Sequence, residues 1–519
     1  MSLPLKEHQV TTSSQSDHDP IYPAENSGKD VLETELENEV LALKTRLVND
    51  ANDELGWTPF HWKLFFLNGF GYAVDSLLTM VQGVTGPQAF LELATASSYI
   101  NAGVVAQNVG LVVGALFWGL GADIISRRLA FNVTLWITSL AMIVAGASPN
   151  LPLLGAFLAL STFGSGGNLI LDPPVLLDFL PGDKQRVVTA LAGWWEFGQS
   201  ITGFVAWGFM TQSHWNCSAS DDCGWSNNAG WRYVMFTCGA LVFVLSILRV
   251  TVIRLVETLK YLLANGWDEE VVRYYQDQAR KYNRPCSLTQ DKLQSCGQIR
   301  LRAEGRKDDS LQRHQEPRPG PVCLAEDNFE HSLDLGVMGN YGIGLSAILC
   351  VPTTNRAYLS TRVPGKVASQ FETYRDLTLT TVSGIPGPLI AGYLVTTRLG
   401  RKYTIFIGAL ADMALFFGFT GIRTNEQNVG TSCAISCCIN IYYSTFYAYT
   451  AEVLPSAHRA TGSGIAVSFN RLMGIVSAFV ASSGNTATAV PLYVCAALFG
   501  GLAMIAALFP FEPHDRRSS

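Results

Sequence analysis

The amino-acid sequence predicts an all-α polytopic membrane protein of twelve spans in two sets of six. Three observations carry that prediction. Apolar stretches of about 20 residues, the length that crosses a bilayer, recur along the chain. Charged residues make up only 15% of the 519, where a soluble chain carries about 25%. Lys and Arg then fall on alternate connections between the stretches. With 48% hydrophobic residues and no concentrated basic region, a disordered chain, a nucleic-acid binder and a small disulfide scaffold are excluded.

Residues 1–56 form a polar tail with no signal peptide. Within it, 32–48 (LETELENEVLALKTRLV) reads as an amphipathic helix too interrupted by charge to span. The first apolar segment is therefore expected to act as an uncleaved anchor, with the tail cytoplasmic. The N-terminal half, 57–253, holds spans near 60–82, 99–121, 129–148, 151–174, 187–211 and 231–253. A polar cytoplasmic loop, 254–334, follows. The C-terminal half, 335–510, holds spans near 335–351, 377–397, 403–421, 430–450, 463–482 and 488–509, and 511–519 is a second cytoplasmic tail. The seventh span, LGVMGNYGIGLSAILCV, is short and glycine-rich and makes that helix atypical.

The charges orient the bundle. The connections at 82–98, 149–150, 212–230 and 483–487 hold no Lys or Arg and are expected outside. The inward connections carry Arg127, Arg128, Lys184, Arg186, Arg398, Arg401, Lys402 and Arg459, the positive-inside pattern. The connection 352–376 departs from it, with Arg356, Arg362, Lys366 and Arg375. In the outward 212–230 loop, Cys217 and Cys223 are a candidate disulfide, and Asn216-Cys217-Ser218 is a candidate glycosylation sequon. Cys286, Cys296 and Cys323 in the central loop are read as reduced, and Cys433, Cys437 and Cys438 within a span as packing residues.

An internal repeat relates the halves. Asp178-Phe-Leu-Pro181, followed by Arg186, corresponds to Glu452-Val-Leu-Pro455, followed by Arg459. Trp195-Glu196-Phe197 lies at the same depth as Asn470-Arg471-Leu472. Duplicated six-helix halves are a common plan of secondary transporters. A second repeat joins the spans. Gly119-Leu-Gly-Ala-Asp123-Ile-Ile-Ser126-Arg127-Arg128 links spans 2 and 3, and Gly392-Tyr-Leu-Val-Thr396-Thr-Arg398-Leu-Gly400-Arg401-Lys402 links spans 8 and 9.

These motifs resemble the major facilitator superfamily, and its sugar-porter-like branch in particular. The 119–128 segment matches the G-x-x-x-D-x-x-G-R-R signature, with Ser126 in place of the later glycine. Tyr449-x-x-Glu452-x-x-Pro455-x-x-x-Arg459 is similar to the porter signature after helix 10. Val256-Glu257-Thr258-Leu259-Lys260-Tyr261-Leu262 resembles P-E-S-P-R-W-L after helix 6, with both prolines lost. The segments at 62–78 and 451–481 are most like those of fungal metabolite permeases. The resemblance covers roughly 50–515, except 300–370, and implies a twelve-helix fold working by alternating access.

Ionisable residues inside lipid are costly and mark function by default. Asp75 follows Gly69-Phe-Gly71-Tyr-Ala-Val in span 1. The resemblance gives this aspartate the proton-carrying role, and desolvation favours the neutral acid that role needs. Glu196, followed by Gln199, and Arg471 beside Asn470 are expected to face each other across the cavity or to face substrate. Asp172, before Pro173-Pro174, is a further cavity candidate, and Trp194, Trp195 and Tyr443 are candidate stacking aromatics. Asp123, Arg127, Arg128, Asp178, Arg186, Glu452 and Arg459 lie near the inner face, where the resemblance implies a charge network holding the inner side shut.

The expected function is transport of a small organic solute, sugar-like or a carboxylate, coupled to protons and working in the cell membrane as a monomer. Export of a fungal secondary metabolite and a transport-defective sensor are the rivals. An enzyme is disfavoured: the 8 His include none mid-span, and H-E-x-x-H, G-x-S-x-G and P-loop patterns are missing. No metal or cofactor is expected.

Overall fold

The computed structural model describes residues 27–95, 99–124, 127–217, 223–251, 259–264, 266–297, 369–453, 459–483 and 488–509. Among these every regular element is helical. In lipid that is the economical solution, because a helix satisfies its backbone groups within one segment. The N-terminal helix α1 covers Ser27–Leu55 and ends at Gly56, whose φ of +62° turns the chain toward the membrane.

The N-terminal half comprises α2 (Pro59–Leu93), α3 (Ala102–Ile124), α4 (Arg127–Gly146), α5 (Leu151–Ser165), α6 (Asn168–Phe179), α7 (Arg186–Leu191), α8 (Gly193–Met210) and α9 (Gly230–Thr251). The central loop contributes α10 (Leu259–Ala264), α11 (Asp268–Tyr282) and α12 (Gln290–Ser295). The C-terminal half comprises α13 (Gln370–Gly384), α14 (Pro386–Leu394), α15 (Gly400–Phe419), α16 (Asn425–Val453), α17 (Arg459–Ser483) and α18 (Val490–Ala507). Eight helical stretches among the described residues are long and apolar enough to cross a membrane, and Ala130–Gly146 is a shorter apolar one. The seventh predicted span, at 335–351, and the basic residues Arg356, Arg362 and Lys366 lie outside the described residues.

Several predicted boundaries move. The first helix runs on to Leu93 through residues expected in a connection, because the backbone and side chains of its last turns find hydrogen-bond partners. Gln88 accepts from Asn228 through its carbonyl at 3.0 Å, and Glu92 accepts from Trp231 at 2.9 Å. The fourth span reaches Phe179 and breaks at Gly166-Gly167. There α3 comes so close that a Cβ on Gly167 would meet the Trp118 side chain at 2.7 Å. The eighth begins at Gln370, earlier than the apolar run, because a capping box starts it: Ser369 Oγ accepts from the Glu372 N–H and Glu372 accepts from the Ser369 N–H, each at 3.1 Å. Pro386 then divides it.

The halves meet along two seams. α3 packs on α17, and α8 packs on α13. Small residues make such approaches possible in lipid. Within the N-terminal half, a Cβ on Gly110 would collide with the Ala159 carbonyl, which brings α3 against α5. The C-terminal core is built on α15, α16 and α18 around Tyr442, Phe446 and Phe499. Phe117, Phe204 and Leu389 stay exposed on helix surfaces, as lipid-facing side chains do.

Candidate functional site

Asp75, at the middle of α2, is fully buried. Its Oδ1 accepts from Ser165 Oγ at 3.0 Å, and its Oδ2 accepts from Arg471 Nη2 at 3.1 Å. The first bond stays within the N-terminal half; the second crosses to α17 in the other half. The Arg471 guanidinium lies 5.8 Å from the Trp195 ring, and its Nε is buried without a hydrogen-bond partner. Beside it, Asn470 Nδ2 donates to Tyr447 Oη at 3.4 Å.

The expected meeting of Glu196 with Arg471 does not occur in this conformation. Glu196 turns instead to the α8–α13–α16 junction, where its Oε1 accepts from Asn440 Nδ2 at 2.9 Å. Its Oε2 is buried without a partner and sits against Gly384. Consecutive helical residues point about 100° apart, so Glu196 and Trp195 address different neighbours. The same rotation separates Trp194 from Trp195. Trp194 packs edge-on against Phe66 at 5.5 Å, Phe70 at 5.4 Å and Phe197 at 5.2 Å. Phe66 and Phe197 are themselves exposed, so Trp194 belongs to a lipid-side aromatic cluster rather than to the Arg471 site. Gln199 is half-buried on α8. Tyr443 packs on Tyr442 with ring centres 5.7 Å apart.

Asp172, expected at the cavity, is tied up inside its own half. Its Oδ1 accepts from Arg249 Nη2 at 3.0 Å, Arg249 also donates to Asn168 Oδ1 at 3.4 Å, and the guanidinium lies over the Phe131 ring. Glycine at position 71 leaves room for the carboxylate against α2. Arg249 was not singled out in the sequence because it stands at the end of an apolar span, where a basic residue reads as an inner anchor. Between the halves near Tyr447, Pro173 and Ala466 a cavity of about 20 Å³ remains, room for about one water and not for a solute.

At the end of the bundle that the charge pattern predicts to be cytoplasmic, Glu452 pairs with Arg401 of α15. Arg401 also donates from Nη1 to Thr189 Oγ1 of the N-terminal half at 3.0 Å. This is a contact across the halves through Arg401, a cation that the gate network read from the sequence did not include. The available signal was Gly400-Arg401-Lys402, the second copy of the Arg127-Arg128 segment. Asp178 is buried and its carbonyl accepts from Asn52 Nδ2 at 3.2 Å, while Arg186 is exposed. The side chains of Asp123, Arg127, Arg128 and Arg459 lie outside the described residues.

At the opposite end of the bundle Cys217 and Cys223 form a disulfide. Asn216 is an internal strut rather than an open glycosylation acceptor: it is 6% exposed, and its Nδ2 donates to the Gln212 and Phe209 carbonyls at 2.8 and 3.1 Å. Buried Arg232 ties this end together, donating to Glu92 at 2.7 Å and to the carbonyls of Gly146 and Ser148 at 2.9 and 3.0 Å.

Residues 69–478 match the family model of the Major Facilitator Superfamily. The chain is 32% identical to an MFS-type transporter of Schizosaccharomyces pombe, covering 97% of this chain and 96% of that one. It is 31% identical to MFS siderochrome iron transporter 1 of Ceriporiopsis subvermispora, with 92% of each chain covered. Its fold is similar to that of the proton:xylose symporter XylE of E. coli, with a TM-score of 0.66 at 14% identity over 87% of this chain and 96% of that one. The chain therefore belongs to the Major Facilitator Superfamily, as a multi-pass membrane transporter.

Proposed function

We propose that this transporter moves a small organic solute, sugar-like or a carboxylate metabolite, across the cell membrane by proton-coupled alternating access, with Asp75 carrying the proton. The observation that carries the reading is the Asp75–Arg471 pair. It is the point where a buried carboxylate of one half holds a cation of the other. A charge pair in a dry setting is strong while both members are charged and weak once one is neutral. A proton on Asp75 would therefore release Arg471 and loosen the seam between α2 and α17. Arg471 would then be free to meet a substrate acceptor, with the Trp195 ring beside it as a flat apolar wall. The inner Arg401–Glu452–Thr189 contact supplies a gate on the cytoplasmic side.

Purified protein in proteoliposomes, offered a panel of radiolabelled hexoses and monocarboxylates, tests this reading. An imposed inward proton gradient should drive accumulation of one class above equilibrium. Uptake that only equilibrates, at a rate indifferent to the gradient, would mark a facilitator and remove Asp75 from the coupling role.

A further inference from the structure

The N-terminal helix and the central loop close on each other at the inner face. Lys44 of α1, 1% exposed, pairs with Asp268 at 2.5 Å. Tyr275 of α11 donates to Asn52 Oδ1 at 2.7 Å, and Asn52 donates in turn to the Asp178 carbonyl at 3.2 Å. Asp53 Oδ1 accepts from the Gly182 N–H at 2.8 Å. Through these bonds α1 grips the inner end of α6, next to the repeated Asp178–Pro181 motif. The outer edge of the grip is a single residue. Ser287, exposed between α11 and α12, donates from its N–H to Glu54 Oε2 at 2.6 Å and from its Oγ to Glu54 Oε1 at 2.5 Å.

We propose that Ser287 is a phosphorylation site, and that its modification pushes Glu54 away and loosens the grip of α1 on the inner end of α6. Three observations meet at this residue. The hydroxyl is at the surface. Its local sequence, Arg284-Pro285-Cys286-Ser287-Leu288, places a cation three residues upstream, a feature that basophilic serine kinases bind. Its partner is a carboxylate, the group a phosphate repels most. In the transfer, Ser287 Oγ forms a bond to the γ-phosphorus of a nucleoside triphosphate and loses its proton. The β–γ phosphoanhydride bond breaks, and the nucleoside diphosphate leaves. The product replaces a hydroxyl donor with an acceptor-only dianion facing Glu54. The proposal needs the 254–334 loop on the nucleotide-containing side, as the basic-residue pattern predicts, and is independent of the substrate.

Lys44 reports the state of the grip, because trypsin reaches so buried a lysine only when α1 opens. Full-length protein in lipid nanodiscs is treated with a basophilic serine kinase and ATP, then with trypsin. Phosphate is expected on Ser287, in the tryptic peptide 282–292. Cleavage at Lys44 should rise about tenfold, the effect of losing charge-assisted hydrogen bonds from a local opening equilibrium. In Glu54→Gln, which folds with a neutral side chain of the same shape, the kinase should still modify Ser287, and Lys44 cleavage should not respond. Three results would overturn the proposal: no phosphate on Ser287, phosphate with unchanged Lys44 cleavage, or an equal response in Glu54→Gln.

Discussion

Two buried carboxylates reach across the seam between the halves, and they are held in opposite ways. Asp75 meets a cation, Arg471, from the other half. Glu196 meets only an amide, Asn440, and keeps one oxygen without a partner. Both are buried acids on helices of the same half. The difference is what a proton does to each contact. Protonating Asp75 turns a charge pair into an ordinary hydrogen bond and frees a guanidinium. Protonating Glu196 leaves an acid that still bonds Asn440. Only the first contact would convert a proton into a change between the halves, and this is why coupling is proposed for it.

That contrast can be broken at its strongest point. Arg471→Ala leaves Asp75 buried with no cation, a change that costs about 3–5 kcal/mol in comparable buried pairs. The variant should melt well below wild type in a thermal-shift measurement in nanodiscs, and adding Asp75→Asn should recover most of the loss. Arg249→Ala, which orphans Asp172 in the same manner, should cost a similar amount. Because Asp172 and Arg249 lie in one half, the surviving folded fraction should keep its proton dependence, measured as flux against pH. Arg401→Ala removes the inner contact across the halves. It should shift the inward-open population by about tenfold, equivalent to about 1.4 kcal/mol, read from spin-label distances across the inner mouth. The smallest effect belongs to Glu196→Gln. The amide keeps an acceptor for Asn440, so stability should change by about 1 kcal/mol or less, with proton-driven accumulation retained.

Most of the spans were legible because lipid demands long apolar runs. The boundaries were less so. Glu92 reads as part of a connection until Arg232 and Trp231 are placed beside it. The break at Gly166-Gly167 depends on how closely α3 approaches, which no local pattern records. Asp75, Glu196, Asp172 and Arg471 stood out as charges in apolar surroundings. Their partners did not, because pairing depends on helix rotation and on contacts between segments far apart in the chain. Arg249 and Arg401 were hidden for a different reason. A basic residue at the inner end of a span has an ordinary explanation in topology, and that explanation masked the ion pairs with Asp172 and Glu452.

The most direct measurement is accumulation by Asp75→Asn in proteoliposomes under an imposed pH gradient, set beside exchange of the same labelled solute without a gradient. Asparagine keeps the size of the side chain and cannot take up a charge-changing proton. Wild type should accumulate solute, and more as the outside pH falls, because protonation releases Arg471. The variant should exchange solute at a rate within a few-fold of wild type and accumulate none above equilibrium. An Asp75→Asn protein that still accumulates solute on the gradient would contradict the assignment of coupling to the Asp75–Arg471 pair.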